Sequence, residues 1–156
     1  MGGIGGTRLV AGLAAITSTS HDRTAALQSV ADTIRQSGDY RWVGLYDVDH
    51  AAGMVRNLVY SGTGAPAYPQ FPIHKGLTGS AVADRRTINV GDVTTDTRYL
   101  TAFGSTRSEI IVPIFDQTKQ TVLGTIDIES EFPHAFSVEV QSLLERCADV
   151  IGRLWH

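Results

Sequence analysis

The stretch LGTIDIES, Leu123 to Ser130, sets two carboxylates into an otherwise apolar strand. Alternate side chains of a strand point to opposite faces, so Ile126 and Ile128 share one face and Asp127 and Glu129 the other. Neighbouring acids repel each other and are costly where water is excluded, so a pair of this kind suits a cation. A third acid, Glu109, lies near the head of SEIIVPIFD, and Trp42 and Tyr46 take positions of matching parity in YRWVGLYDVD. Three carboxylates facing one cavity match an ammonium group. The two rings add a surface for a cation, an alkyl chain or a thioether. The segment HKGLTGSAVA places Gly76, Leu77, Thr78 and Gly79 at the start of a helix, where unpaired backbone N–H groups favour an anion. Acids for a positive end and a helix start for a negative end suit a zwitterion. The competing reading has the acids on a solvated sheet face, paired with Arg41, Arg98 or Arg107. Three acids with Trp and Tyr in register favour a pocket over that reading.

Other candidate chemistry is weaker. Cys147 is the single cysteine and lies on the apolar stripe of the last helical segment, as an inert buried thiol would. Ser80, Thr78 and Ser108 have no His and Asp arrangement around them that would make a hydrolytic triad. The N-terminal GGIGG follows no strand and lacks the remaining spacing of a nucleotide loop. The histidines at 21, 50, 74, 134 and 156 are scattered, none at metal-ligand spacing from another or from Cys147, so no metal site and no cofactor are expected.

The elements that must position these residues follow from periodicity. The chain has 156 residues, enough for one domain with a proper core, and 42% of them are hydrophobic. Its formal net charge of -3, with no local basic cluster, argues against nucleic acid or an anionic membrane as a partner. A flexible Gly-rich start over residues 1–7 is expected, then a short helix from Arg8 to Ile16. A second helix runs from about Asp22 to Gln36, with Leu27, Val30, Ala31 and Ile34 on one stripe. YRWVGLYDVD and MVRNLVYSG read as a hairpin, GTGAPAYPQFP as a long surface loop, GLTGSAVAD as a short helix and TINVGDV as a strand. TTDTRYLTAFGSTR reads as an irregular connection before a hairpin of SEIIVPIFD and TVLGTIDIES, and FSVEVQSLLERCADVIGRLW as a packing helix. This order suggests an α+β domain: an antiparallel sheet with long helices on one face and loops over the other. Val43, Leu45, Ile110, Val112, Ile114, Ile126 and Ile128 would face the helices. Trp42, Tyr46, Glu109, Ile111, Asp127 and Glu129 would face the loops.

The segments RWVGLY, GLTGSAVA, INVGDV, SEIIVPI and VLGTIDIES together resemble a GAF domain, and more closely the single-domain GAF enzymes that reduce free methionine-R-sulfoxide. The likeness runs from about Tyr40 to the C-terminus. It implies a six-stranded antiparallel sheet (PAS/profilin-like) with helices on one side and a ligand pocket on the other, in one domain over residues 8–156. It also implies substrate-binding positions at Trp42, Tyr46, Glu109, Asp127 and Glu129, the last standing where an Asp is usual. The departures from the family concern its redox cysteines. Thr78 stands where one cysteine belongs, Ala102 matches the position of the nucleophile, and the third position falls near Tyr68. A hydroxyl or a methyl cannot form a sulfenic acid or a disulfide.

The binding face is thus kept and the thiols are missing. The leading expectation is a non-catalytic GAF domain that senses or binds an amino-acid-like zwitterion, an amino acid or its oxidised form. Its ligand-binding residues would be Trp42, Tyr46, Thr78, Ala102, Glu109, Asp127 and Glu129. With no output domain in this sequence, a signal would pass in trans. The alternatives are an interaction module with a vestigial pocket and a reductase-like enzyme with altered or lost redox chemistry. Acids argue against an anionic nucleotide in the pocket, and no cysteine is placed to attach a bilin. A homodimer through the terminal helices is expected. So is a cytoplasmic location, since the N-terminal apolar run is too short for a signal peptide and Gly6 breaks the myristoylation pattern.

Overall fold

Strands whose alternate side chains fall on two buried faces build a six-stranded antiparallel sheet in the computed structural model, which describes residues 4–19, 21–100 and 103–156. Its strands are β1 (Trp42–Asp49), β2 (Met54–Gly62), β3 (Gln70–Pro72), β4 (Ile88–Val90), β5 (Ser108–Phe115) and β6 (Val122–Ser130). They lie in the order β3-β2-β1-β6-β5-β4, so the two long hairpins meet where β1 pairs with β6. The register there sets the site. Trp42 lies opposite Glu129, and Glu129 opposite Glu109, which puts an aromatic ring and two acids in one row across three strands. The next row holds Gly44, Asp127 and Ile111.

Three helices cover one face: α1 (Ile4–Thr19), α2 (Arg23–Ser37) and α4 (Val138–Ile151). All seven residues expected to face the helices lie in one buried core with Leu13, Leu27, Ile34, Leu144 and Ile151. Burying a side chain of this size contributes roughly 1.5–3 kcal/mol each, so this layer dominates the fold's stability. Asp22 caps α2, its carboxylate accepting from the N–H groups of Thr24 and Ala25, and the Ser137 hydroxyl caps α4 by accepting from the Val140 N–H. The fourth helix, α3 (Gly76–Asp84), packs on the other face, where Leu77 and Ala81 join Ile88, Val90, Val93 and Ile111.

Element boundaries differ from the sequence reading at both ends of α1, at β3 and at β4, which keeps only Ile88–Val90 of TINVGDV. Helix α1 begins at Ile4 instead of Arg8, because tertiary packing overrides the poor helix propensity of glycine. A Cβ on Gly6 would lie 3.2 Å from Leu143 Cδ1, so the bare glycine lets α1 settle closely on α4. Residues 1–3 lie outside the described part. The stretch GTGAPAYPQFP, expected as loop throughout, contains β3, paired to β2 through Val55 opposite Phe71. Pro72 is tolerated because β3 is an edge strand, where a missing N–H leaves no partner stranded.

Candidate functional site

The face of the sheet away from the three long helices carries the acids. Glu109, Asp127 and Glu129 are 6%, 7% and 2% exposed, and one oxygen of each lies within 4.8 Å of the others. With α3 and the loops they line a narrow cavity of about 40 Å³. No arginine forms an ion pair with these acids among the described residues. Arg98 pairs with Asp96 at 2.6 Å, Arg41 reaches Glu131 at 3.6 Å and lies over the Phe103 ring, and Arg107 donates to the Thr106 carbonyl. The solvated, arginine-paired alternative is therefore absent from this sheet face.

Charge in such a cluster is resolved by protons. Burial pushes Asp127 up to about 6, partly offset by its hydrogen bond with Glu109. Glu129 is pushed up to about 8 by burial and then by the charge of Asp127, while the hydroxyls of Thr106 and Tyr99 pull it back. Glu109 is raised well above the ordinary carboxylate range, by burial and by Asp127. A proton shared between Glu109 and Asp127 follows from these proximities. One acceptor is left over. Asp127 Oδ1 is buried and accepts no hydrogen bond from an N–H or hydroxyl group, a costly state for a carboxylate oxygen.

Aromatic rings form the side wall. The Trp42 indole is 1% exposed, stacks on Tyr60 at 6.1 Å and donates from Nε1 to the Gly64 carbonyl at 3.2 Å. Tyr46 meets the Phe71 ring edge-on at 6.0 Å. Burial and the three nearby acids raise the Tyr46 phenol, which keeps it neutral as a donor. Gly44 makes this wall possible: a Cβ there would lie 2.3 Å from the Trp42 ring and 2.9 Å from that of Tyr46.

The opposite end is the first turn of α3. Gly76, Leu77 and Thr78 line the cavity, and the first N–H groups of a helix have no partner within it. Gly76 adopts φ +70°, a conformation glycine takes without strain, and a Cβ on it would press on the Leu100 side chain of the loop above. Thr78 is buried in this wall, as a hydroxyl. The only thiol, Cys147, is 0% exposed in the core under the opposite face, and burial pushes it up to about 12.

The structure thus gathers six of the seven expected site residues around one cavity: Trp42, Tyr46, Thr78, Glu109, Asp127 and Glu129. Ala102 lies outside the described residues. Sequence reasoning missed Phe71, Leu100 and Thr106. Phe71 was concealed in a proline-rich stretch, and the other two sit in segments without periodicity. Three oxygens at these separations could hold a metal ion or an ammonium group. The Trp42 and Tyr46 rings and the apolar Leu77 and Leu100 beside them suit an organic cation better than a hydrated metal.

Comparison with known proteins bears on the family and the fold. The GAF domain family model matches residues 22–154. The free methionine-R-sulfoxide reductase of Saccharomyces cerevisiae is 30% identical over 115 residues, covering 74% of this chain and 63% of the yeast protein, less than two thirds of its length. Among solved structures, the type II free methionine-R-sulfoxide reductase from Thermoplasma acidophilum is similar with a TM-score of 0.80 and 30% identity, over 86% of this chain and 92% of that one. The fRMsr of Staphylococcus aureus in complex with its substrate has a TM-score of 0.83 and 27% identity, over 97% of this chain and 95% of that one.

Proposed function

The chain belongs to the GAF domain family, and on that footing we propose that it binds a small amino-acid-like zwitterion without chemically converting it. One observation carries this reading: Asp127 Oδ1 is buried and accepts from no N–H or hydroxyl group, inside a three-carboxylate cluster with which no arginine forms an ion pair among the described residues. A primary ammonium brings three donors and a positive charge to that spot. The N–H groups of Gly76, Leu77 and Thr78 answer a carboxylate at the other end, and the Trp42 and Tyr46 rings border the space for the side chain. The similarity to a substrate complex of an fRMsr supports methionine sulfoxide, methionine or a related amino acid as ligand. Thr78 in place of a thiol, and Cys147 buried beneath the opposite face of the sheet, support binding without turnover. The reading extends to a signal passed on to another protein, a homodimer through the outer faces of α1 and α4, and a cytoplasmic location. Among the described residues no helix is long and apolar enough to cross a membrane.

Calorimetric titration of L-methionine and its R-sulfoxide tests the binding, and sedimentation tests the dimer. Saturable binding with no loss of sulfoxide is expected. Steady turnover with thioredoxin or dithiothreitol, abolished by Asp127→Asn, would contradict it. A second reading, a reductase whose thiol comes from a partner protein, is favoured by the two reductases at 30% identity. It predicts turnover only after addition of that thiol protein.

A further inference from the structure

Glu129 is gripped from outside its own hairpin. The Thr106 hydroxyl, in the segment leading into β5, donates to Glu129 Oε1 at 2.8 Å, and the Tyr99 phenol meets the same oxygen at 3.4 Å. Thr106 is 3% exposed, so its bond lies where water does not compete. Its backbone is tied on both sides. The Thr106 N–H donates to the Phe103 carbonyl at 3.2 Å, and the next N–H, of Arg107, donates to the Ser130 carbonyl at 2.8 Å, one residue beyond Glu129. The hydroxyl is therefore held in place before any ligand arrives.

The remaining neighbours of Glu129 would otherwise drive it away from the cavity. Glu109 sits opposite it on β5 and Asp127 two residues before it on β6, both acids. From β1 come the Trp42 ring and the neutral Tyr46 phenol, and the charge of Arg41 acts from just before that strand. Of these groups only Arg41 favours a charged Glu129, and its guanidinium is engaged with Glu131. A flexible glutamate side chain beside two acids needs a fixed donor to stay in the wall.

We infer that Thr106 is a positioning residue: it pins Glu129 Oε1 against the cavity wall and thereby presents Oε2 to the cation that enters. This rests on the zwitterion reading for the identity of the cation, but not for the grip itself. Two hydroxyls on one oxygen leave the second oxygen as the acceptor for a ligand. They also favour the ionised carboxylate, because a donor stabilises the charged form. Without the Thr106 hydroxyl, Glu129 holds its proton to higher pH and meets an ammonium as a poorer acceptor.

The test compares Thr106→Val, which keeps the shape and removes the hydroxyl, with Thr106→Ser, which keeps the hydroxyl. Carbon-13 carboxyl NMR follows the titration of Glu129 in ligand-free protein, and calorimetry measures binding of L-methionine-R-sulfoxide at pH 7. Thr106→Val is expected to move the Glu129 midpoint up by about one unit and to weaken binding about tenfold, with Thr106→Ser restoring both. Tyr99→Phe, which removes only the longer bond, is expected to move the midpoint less and in the same direction. This keeps the question open to measurement if Thr106→Val does not fold. An unmoved midpoint in Thr106→Val or, failing that, in Tyr99→Phe would overturn the inference, as would a serine variant that behaves like valine. If wild-type protein binds no sulfoxide, the zwitterion reading falls, while the titration still decides the role of Thr106.

Discussion

Glu109, Asp127 and Glu129 all carry the cost of burial at this site, and the behaviour of Asp127 and Glu129 separates a pocket from a structural cluster. Removing an acid from a desolvated contact with a charged ligand typically costs about 2–5 kcal/mol of binding. Asp127→Asn and Glu129→Gln are therefore expected to weaken calorimetric binding by that order while leaving the melting temperature unchanged or higher, since mutual repulsion is relieved. Normal binding with markedly lower melting would make the acids structural. The pH dependence follows from the same residues. Burial raises these carboxyls above their unfolded-chain values, so the folded protein retains protons that the unfolded chain has released. Stability of the ligand-free protein therefore falls as pH rises from the ordinary carboxylate range to about 8, the value to which Glu129 is pushed. Urea unfolding at pH 5 and pH 8 should show this loss, and Glu129→Gln should reduce it. A wild-type protein more stable at pH 8 than at pH 5 would contradict the protonated cluster.

Among the elements, β1 shows how much the packing of one bare position decides. Gly44→Ala sets a methyl group against the Trp42 and Tyr46 rings. Overpacking of this kind typically costs about 1–3 kcal/mol. Because the displaced rings form the pocket wall, the variant should lose ligand affinity as well as stability, read by thermal melting and calorimetry together. Unchanged affinity would mean that the rings do not touch the ligand. The same strand explains why the sheet was legible in the sequence. Val43 and Leu45 alternate with Trp42 and Tyr46, and Ile126 and Ile128 with Asp127 and Glu129, so period and parity fixed both faces at once. Edge strand β3 was hidden because Pro69 and Pro72 make its stretch read as loop, and the start of α1 was hidden because glycine propensity speaks against a helix that α4 stabilises from outside. Thr106 gave no sequence signal. Its role depends on a loop returning beside β6, a long-range placement that no local pattern encodes.

Across the whole molecule, the sheet divides two environments: a dry hydrocarbon core that contains the only thiol, and an acidic pocket that contains none. If the pocket is a reductase site without its thiols, restoring them should restore some redox chemistry. The double variant Thr78→Cys with Ala102→Cys should show slow, reductant-dependent loss of free methionine-R-sulfoxide. A disulfide between the introduced cysteines, seen by mass spectrometry, should accompany it, with the parent protein inactive. A folded double variant that binds sulfoxide but never oxidises would place those positions too far from the sulfur. If the buried acids hold an ammonium, removing that one group from a ligand abolishes its binding. L-methionine-R-sulfoxide and its deaminated analogue, 4-(methylsulfinyl)butanoate, share every group except that ammonium. Calorimetric titration of wild-type protein at pH 7 should show saturable binding of the amino acid, with protons released to the buffer as the acids ionise around it, and no measurable binding of the analogue. Equal affinity for the two compounds would show that the acids do not recognise the ammonium.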